Sequence, residues 1–515
     1  MLRRLALAAV FTTLFAAALP LAQAQLPAPV AATLAAGGIA QDALSVLVLR
    51  GDTTLLAYLA ERPMQPASTM KLVTTLVALE TLGPVFRGRT ELRSSGDVVK
   101  GVLKGDLVLR GGADADFTGE VLETMLQTLR NTGIQRIAGK LVLDRSLFSP
   151  ARPDIGTAPF DAAPEAYYNV IPDALLVNKN MLQIDMRSSA NKLQLAMRPM
   201  LDKVNVASAM TLVDADCAKW EDGWKLPQAT PGPGAGITVV LHGAFPKHCA
   251  KAYSINVVDR QQYVGRLLRA TWKSLGGKFA AKGNGEVVDG IGAPDARLLA
   301  EHVSRALPEV IRDINKASDN ALARTVFLSL GSLEADPLLG SRPLTFATTA
   351  ATTTTDTTQA RAAMAVRAWL RRHRIDDAGF VIDNGSGLSR LERITPLQLG
   401  AVLTAGQHSD WAPEFLASLP IVAVDGTMRR RLKDSPAAGH ARMKTGTLAN
   451  VVALAGYVRD ALGQQCVVVA MINSDQVGDG RGRAVLDTLV DWVARLGNET
   501  APATPSMKHP AFDGA

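Results

Sequence analysis

Three short motifs stand in order along the chain: Ser68-Thr69-Met70-Lys71, Ser318-Asp319-Asn320 and Lys444-Thr445-Gly446. Together they supply a nucleophile with its base, a proton relay, and a cationic strand that can receive a carboxylate. These are the parts of a serine acyl transferase whose base is lysine rather than histidine. Ser68 and Lys71 lie three apart on an expected helix, so hydroxyl and amine share a face. A free serine hydroxyl is a weak nucleophile, and a lysine kept dry and near other cations can take its proton. The helix N-terminus also favours an oxyanion nearby. Ser318 opens a helical run, where it can pass a proton between the lysine and a leaving amine, while Asn320 can hold a substrate amide. Lys444-Thr445-Gly446-Thr447 precedes two strands and is expected on a sheet edge. There Lys444 supplies charge, Thr445 and Thr447 supply hydroxyls, and Gly446 lets a substrate backbone approach closely. The backbone N–H groups of Ser68 and Thr447 could form an oxyanion hole.

Similar spacings elsewhere lack the surrounding pattern. Ser189-Ala190-Asn191-Lys192 sits in polar, turn-like sequence and reads as a surface turn. Ser254-Ile255-Asn256 fits Ser-x-Asn but no helix follows it, so Ser318 is preferred. Asp383-Asn384-Gly385-Ser386-Gly387 is a glycine-rich turn without the spacing of a Gly-x-Ser-x-Gly elbow, which argues against a histidine hydrolase built from Ser386 and His408. The seven histidines include no His-Glu-x-x-His and no Cys/His cluster, and no glycine-rich loop has a phosphate-cradling context. No metal or organic cofactor is expected.

The elements that must position these groups are split along the chain. Ser45 to Leu49 and Thr53 to Tyr58 flank Arg50-Gly51-Asp52 as a hairpin, and Pro66 opens a helix carrying Leu72, Val73, Leu76, Val77 and Leu79. From about Glu91 to Leu143 the pattern is short β-runs broken by Gly and Asp, and residues 170–260 also read mainly as β. Helical text is expected from Leu298 to Leu330 and from Arg361 to Arg372, with a Thr/Ala-rich low-complexity loop at 345–358 between them. Strands at Val451 to Val458 and Cys466 to Ile472 precede an amphipathic helix bearing Val485, Leu489, Val490, Val493 and Leu496. The expectation is an α/β catalytic domain, 25–97 and 294–498, split by a mainly β insertion. Within the insertion, 98–170 with 260–293 form one module and 171–259 another, and a disordered tail follows at 499–515.

Composition agrees with an exported globular protein. The chain has 515 residues, 47% hydrophobic and 20% charged, enough for two or three domains. A net charge of +7 suits anionic partners such as cell-wall material or a membrane surface. The absence of a dense Lys/Arg run and an aromatic share of 5% argue against nucleic-acid binding. Arg3 and Arg4, the apolar stretch Leu5 to Leu21, and Ala22-Gln23-Ala24 read as a signal peptide over 1–24, with a mature chain from Gln25. Cys217 and Cys249 lie in one polar, Pro/Gly-rich region and could bridge a loop there, while Cys466 sits in an apolar run and reads as a core residue.

The three motifs resemble the set shared by penicillin-binding proteins and serine β-lactamases. With Gly105-Asp106-Leu107-Val108-Leu109-Arg110-Gly111-Gly112, Asp383 to Arg390, and Val424-Asp425-Gly426-Thr427-Met428, the chain is most similar to class C low-molecular-mass penicillin-binding proteins. These are D-alanyl-D-alanine carboxypeptidase/endopeptidases of peptidase family S13. The resemblance implies a penicillin-binding-protein/β-lactamase-like fold, an antiparallel sheet flanked by helices. It implies Ser68 as the acylated nucleophile, Lys71 as its base, Ser318 and Asn320 as the second motif, and Lys444, Thr445, Gly446 and Thr447 as the third. It also implies that Asp144 in the insertion holds the free amine of the peptide's diamino acid. Peptidoglycan stem peptides and β-lactams are the implied partners and the periplasm the implied compartment; peripheral membrane contact and a homodimer stay open. The alternatives are a serine β-lactamase, whose short middle region does not fit the insertion, and a non-catalytic β-lactam-binding sensor or scaffold.

Overall fold

A computed structural model describes residues 25–280, 285–344 and 356–497. The signal-peptide expectation, most of the Thr/Ala-rich loop and the tail lie outside these residues. The apolar hairpin forms as expected: Leu44–Arg50 pairs antiparallel with Thr53–Tyr58. Its inner strand then pairs with Gln465–Asn473 near the other end of the chain. Val451–Arg459 and Arg442–Leu448 complete a five-stranded antiparallel sheet, with the Lys444 strand at its edge.

Alternation sorts the strand residues onto two buried faces. Leu47, Leu49, Ala455, Val467, Val469 and Met471 pack with helices Met70–Leu82, Leu307–Ala317, Asn320–Leu330, Thr358–Arg372 and Pro396–His408. Leu44, Val46, Val48, Leu454, Val468 and Ala470 pack with Ala28–Ala36 and Arg481–Arg495. Burying each such side chain is worth roughly 1.5–3 kcal/mol, so this layered core fixes the sheet and with it the Lys444 edge.

Between the two parts of this domain lies a second sheet, in the order Val287–Asp289, Leu141–Asp144, Leu107–Gly112, Arg89–Ser94, Arg297–Val303. It begins before residue 98 and ends after 293, because Arg89–Ser94 and Arg297–Val303 pair antiparallel. Arg297–Val303 is therefore a strand, where helix was expected. Gly119–Asn131 is a helix where only β-runs were expected. Thr118 caps it by accepting from the Val121 N–H, and Leu122, Met125, Leu126 and Leu129 face the core at helical spacing. Residues 182–255 form two small sheets, tied by a disulfide between Cys217 and Cys249. Cys466 is buried in its strand, as its apolar neighbours imply.

Candidate active site

Met70–Leu82 is an unusual helix: every residue from Met70 to Leu79 is buried. Lys71 therefore has no route to water, and its amine must find partners inside. Ser68 sits just before the helix in the 3-10 turn Ala67–Thr69 and is half-buried. Lys71 Nζ lies 2.9 Å from Ser68 Oγ and 2.6 Å from Asn320 Oδ1, and it also meets the Ser386 carbonyl. Two of these three atoms can only accept. A neutral lysine donates its two N–H groups to them, which aims its lone pair at the Ser68 hydroxyl. Burial, and then the charge of Lys444, hold the Lys71 amine well below the usual lysine range.

The second motif is held under strain. Ser318 joins two helices in a left-handed conformation at φ 59° and ψ 40°, costing a non-glycine residue roughly 1–2 kcal/mol. Lys444 Nζ donates to Ser318 Oγ at 2.9 Å and to the Thr445 carbonyl at 2.7 Å. Lys444 is also buried, and burial brings its amine down to about 7. Asp319 caps the next helix through the Leu322 N–H at 3.0 Å. Its other oxygen accepts from Lys179 at 2.7 Å and from the Tyr167 hydroxyl. Asn320 Nδ2 donates to the Tyr168 carbonyl at 2.9 Å, which fixes the amide so that its oxygen faces Lys71. Ser68, Lys71 and Asn320 thus form one hydrogen-bonded set and Ser318 and Lys444 another, near enough for the Lys444 charge to act on Lys71.

Glycine is required where backbones meet. A Cβ on Gly446 would lie 3.0 Å from the Ser68 amide nitrogen and 2.7 Å from the Pro66 carbonyl oxygen. The edge strand therefore runs hard against the Ser68 turn, bringing the Ser68 and Thr447 backbones to one place. Thr447 is exposed, and Thr445 Oγ1 lies 2.8 Å from Thr427 Oγ1. Gly387, at φ +81°, approaches from the other side: a Cβ there would fall 1.9 Å from the Ala67 carbonyl oxygen.

Among the described residues, Asp144, expected to hold a substrate amine, makes no hydrogen bond to the motif residues; its partners lie in or beside its own sheet. It is fully buried at the end of its strand. One oxygen accepts from the Ser146 N–H at 3.0 Å and hydroxyl at 2.6 Å, the other from Gly292 N–H at 2.9 Å and Arg110 Nε at 3.2 Å. With both oxygens engaged, Asp144 ties strand ends together. Ser189 is exposed and bonds to the backbone of Lys192, as a turn residue does. Ser254 lies on the strand Ala250–Ile255. Ser386 gives only its carbonyl to the cluster, and His408 Nδ1 faces the Thr404 carbonyl.

Tyr167, Lys179, Thr427 and Ser386 border the motifs without being legible as site residues beforehand. For Lys179 one signal existed. Asn178-Lys179-Asn180 adopt three successive left-handed conformations, and asparagines tolerate that region best.

The D-Ala-D-Ala carboxypeptidase 3 (S13) family matches the chain over residues 26–496. The chain belongs to this family. As a member, it is an enzyme of the serine-type D-Ala-D-Ala carboxypeptidase class. It is 27% identical over 447 residues to D-alanyl-D-alanine carboxypeptidase DacB of Haemophilus influenzae, covering 85% of this chain and 86% of that protein. It is 26% identical over 458 residues to the D-alanyl-D-alanine carboxypeptidase of Actinomadura sp. strain R39, covering 87% and 80%. The fold matches the crystal structure of penicillin binding protein 4 from Haemophilus influenzae, with a TM-score of 0.69, 23% identity, and 88% and 96% of the two chains covered. A second structure of that protein, complexed with a β-lactam, matches with a TM-score of 0.67 at the same identity and coverage. The structural match bears out the expected α/β penicillin-binding-protein fold, and membership of the S13 family the expected enzyme class.

Proposed function

We propose that this chain is an exported peptidoglycan hydrolase that removes terminal D-Ala and cleaves D-Ala-to-diamino-acid cross-links. The observation that carries the reading is the Lys71 amine, buried and held between two carbonyl oxygens with Ser68 Oγ at 2.9 Å. Ser68 Oγ attacks the carbonyl carbon of the D-Ala peptide bond as its proton passes to Lys71. The Ser68 and Thr447 N–H groups receive the oxyanion. Ser318, held by Lys444 at 2.9 Å, relays a proton to the leaving nitrogen, the C–N bond breaks, and water then releases the acyl group from Ser68. Thr445 and Thr447 on the sheet edge donate to the substrate carboxylate, with the Lys444 charge behind them. A β-lactam presents the same acyl centre and would leave a slowly hydrolysed ester on Ser68. Of the described helices, none is long and apolar enough to cross a membrane. The basic n-region and Ala-x-Ala site support periplasmic export.

Mass spectrometry of the purified protein with penicillin, followed by muropeptide digestion, tests this. A penicilloyl adduct on the Ser68 peptide with release of D-Ala is the expected result. An adduct on any peptide lacking Ser68, or adduct formation with no muropeptide cleaved, would overturn the hydrolase reading.

A further inference from the structure

The loop Asp383 to Gly387 carries the Ser386 carbonyl that receives Lys71, and a single buried side chain gathers that loop. Glu392 is fully buried. Its Oε1 accepts from the backbone N–H groups of Asp383 at 3.2 Å, Asn384 at 3.1 Å and Gly385 at 3.0 Å. The next residues are pinned in turn. The Gly385 carbonyl accepts from Thr74 Oγ1 at 2.6 Å, on the nucleophile helix, and Gly387 abuts the Ala67 carbonyl. We propose that Glu392 is a positioning residue for acylation: it holds the 383–387 loop so that the Ser386 carbonyl seats Lys71, and it sets the charge around that amine.

Two observations separate this role from plain loop support. Three N–H groups converging on one oxygen need an acceptor, which a neutral amide would also supply, so the carboxylate charge is in excess of the structural need. And Glu392 Oε2 is buried without a hydrogen-bond partner, as is Arg324 Nε nearby. An ionisable group left incompletely paired in a core costs stability, and such groups concentrate where function requires them. The charged groups facing Glu392 are Lys71, Arg324 and Asp383; those facing Lys71 are Lys444, Glu392, Asp319 and Arg324. Burial raises Glu392 itself to about 7, so it charges in the range where such an enzyme works.

The sign of its effect follows. An anion near Lys71 favours the ammonium form, and removing it lets Lys71 give up its proton at lower pH. This inference rests on Ser68 and Lys71 acting as nucleophile and base. The test is the pH profile of penicillin acylation at Ser68 in wild type, E392Q and Glu392→Ala, with melting temperature measured for each. In E392Q the acid limb should move about 0.5–1 pH unit toward acid. In Glu392→Ala, which frees the loop, acylation should fall roughly 10- to 100-fold at the wild-type optimum. If the alanine variant does not fold, the E392Q midpoint decides alone. Superimposable E392Q and wild-type profiles would overturn the proposal, as would an E392Q rate loss that tracks melting temperature with no moved midpoint. A wild-type protein with no adduct on Ser68 would instead defeat the hydrolase reading.

Discussion

Ser68 and Ser189 each stand three residues before a lysine, and only their surroundings differ. Ser189 and Lys192 are exposed, and Ser189 N–H donates to the Lys192 carbonyl at 2.8 Å to close a turn. Lys192 lies in open solvent. Lys71, on a helix buried from Met70 to Leu79, is out of contact with solvent, seated between carbonyls and within reach of the charge of a second buried lysine. Spacing brings a hydroxyl and an amine together in both places. Desolvation is what turns one of the amines into a base.

The sharpest way to break this contrast is to delete each hydroxyl. Ser68→Ala should abolish penicillin adduct and muropeptide cleavage with the fold intact, while Ser189→Ala should leave both unchanged. Intact-mass measurement on the two variants decides it, and an adduct surviving in Ser68→Ala would reverse the assignment. Lys71→Arg keeps the charge but cannot give up its proton, so acylation should fall about 10²- to 10⁴-fold. Lys192→Arg should be silent. Stopped-flow acylation at neutral pH measures both, and a near-normal rate for Lys71→Arg would make Lys71 an electrostatic element only.

Lys444 extends the contrast to stability. Its folded value, about 7, lies below the ordinary 10.5. Between these values the unfolded chain binds the proton and the folded one does not, so stability rises with pH across that window. Below it both states are charged and the burial cost is borne in full, about 5 kcal/mol. Lys444→Met should therefore melt higher than wild type at pH 6–7, with a gap that narrows toward pH 10, while turnover is lost. A constant gap across pH would refute the linkage.

The insertion should respond in the opposite sense, with stability lost and the cluster chemistry kept. Replacing Cys217 and Cys249 by serine opens a loop of sequence separation 32 and should cost about 2–4 kcal/mol, with penicillin acylation changed less than twofold. Asp144→Ala strands the Gly292 N–H and Arg110 and should destabilise by about 1–3 kcal/mol. Any loss should then be comparable for penicillin and muropeptide. A defect confined to substrates with a free diamino-acid amine would restore Asp144 as a recognition residue.

How legible each part was follows from how local its cause is. The hairpin, the strands Val451–Arg459 and Gln465–Asn473 and the last helix write their burial into apolar periodicity, and all formed where that periodicity lies. The motifs were legible because each needs particular residue types close together in sequence. Gly119–Asn131 was hidden by the Gly- and Asp-broken runs around it, although Leu122, Met125, Leu126 and Leu129 carry the spacing. Arg297–Val303 could not be separated from the helices after it, because its strand identity comes from pairing with Arg89–Ser94. Tyr167 and Lys179 grip Asp319 across sequence separations of 152 and 140, long-range contacts with no local signature.

The pairing of Leu44–Arg50 with Gln465–Asn473 has a consequence for how the protein is made. Ser68 and Lys71 emerge from the ribosome early, but the sheet that buries them stays open until the final strands arrive. A nascent chain ending before residue 440 would carry the nucleophile without Lys444, the Gly446 edge, or the inner neighbour of its first hairpin. Such a chain should be inert toward penicillin and sensitive to protease, and only the full-length product should label. Carboxypeptidase activity is thereby withheld from every incomplete copy, a safeguard written into chain order.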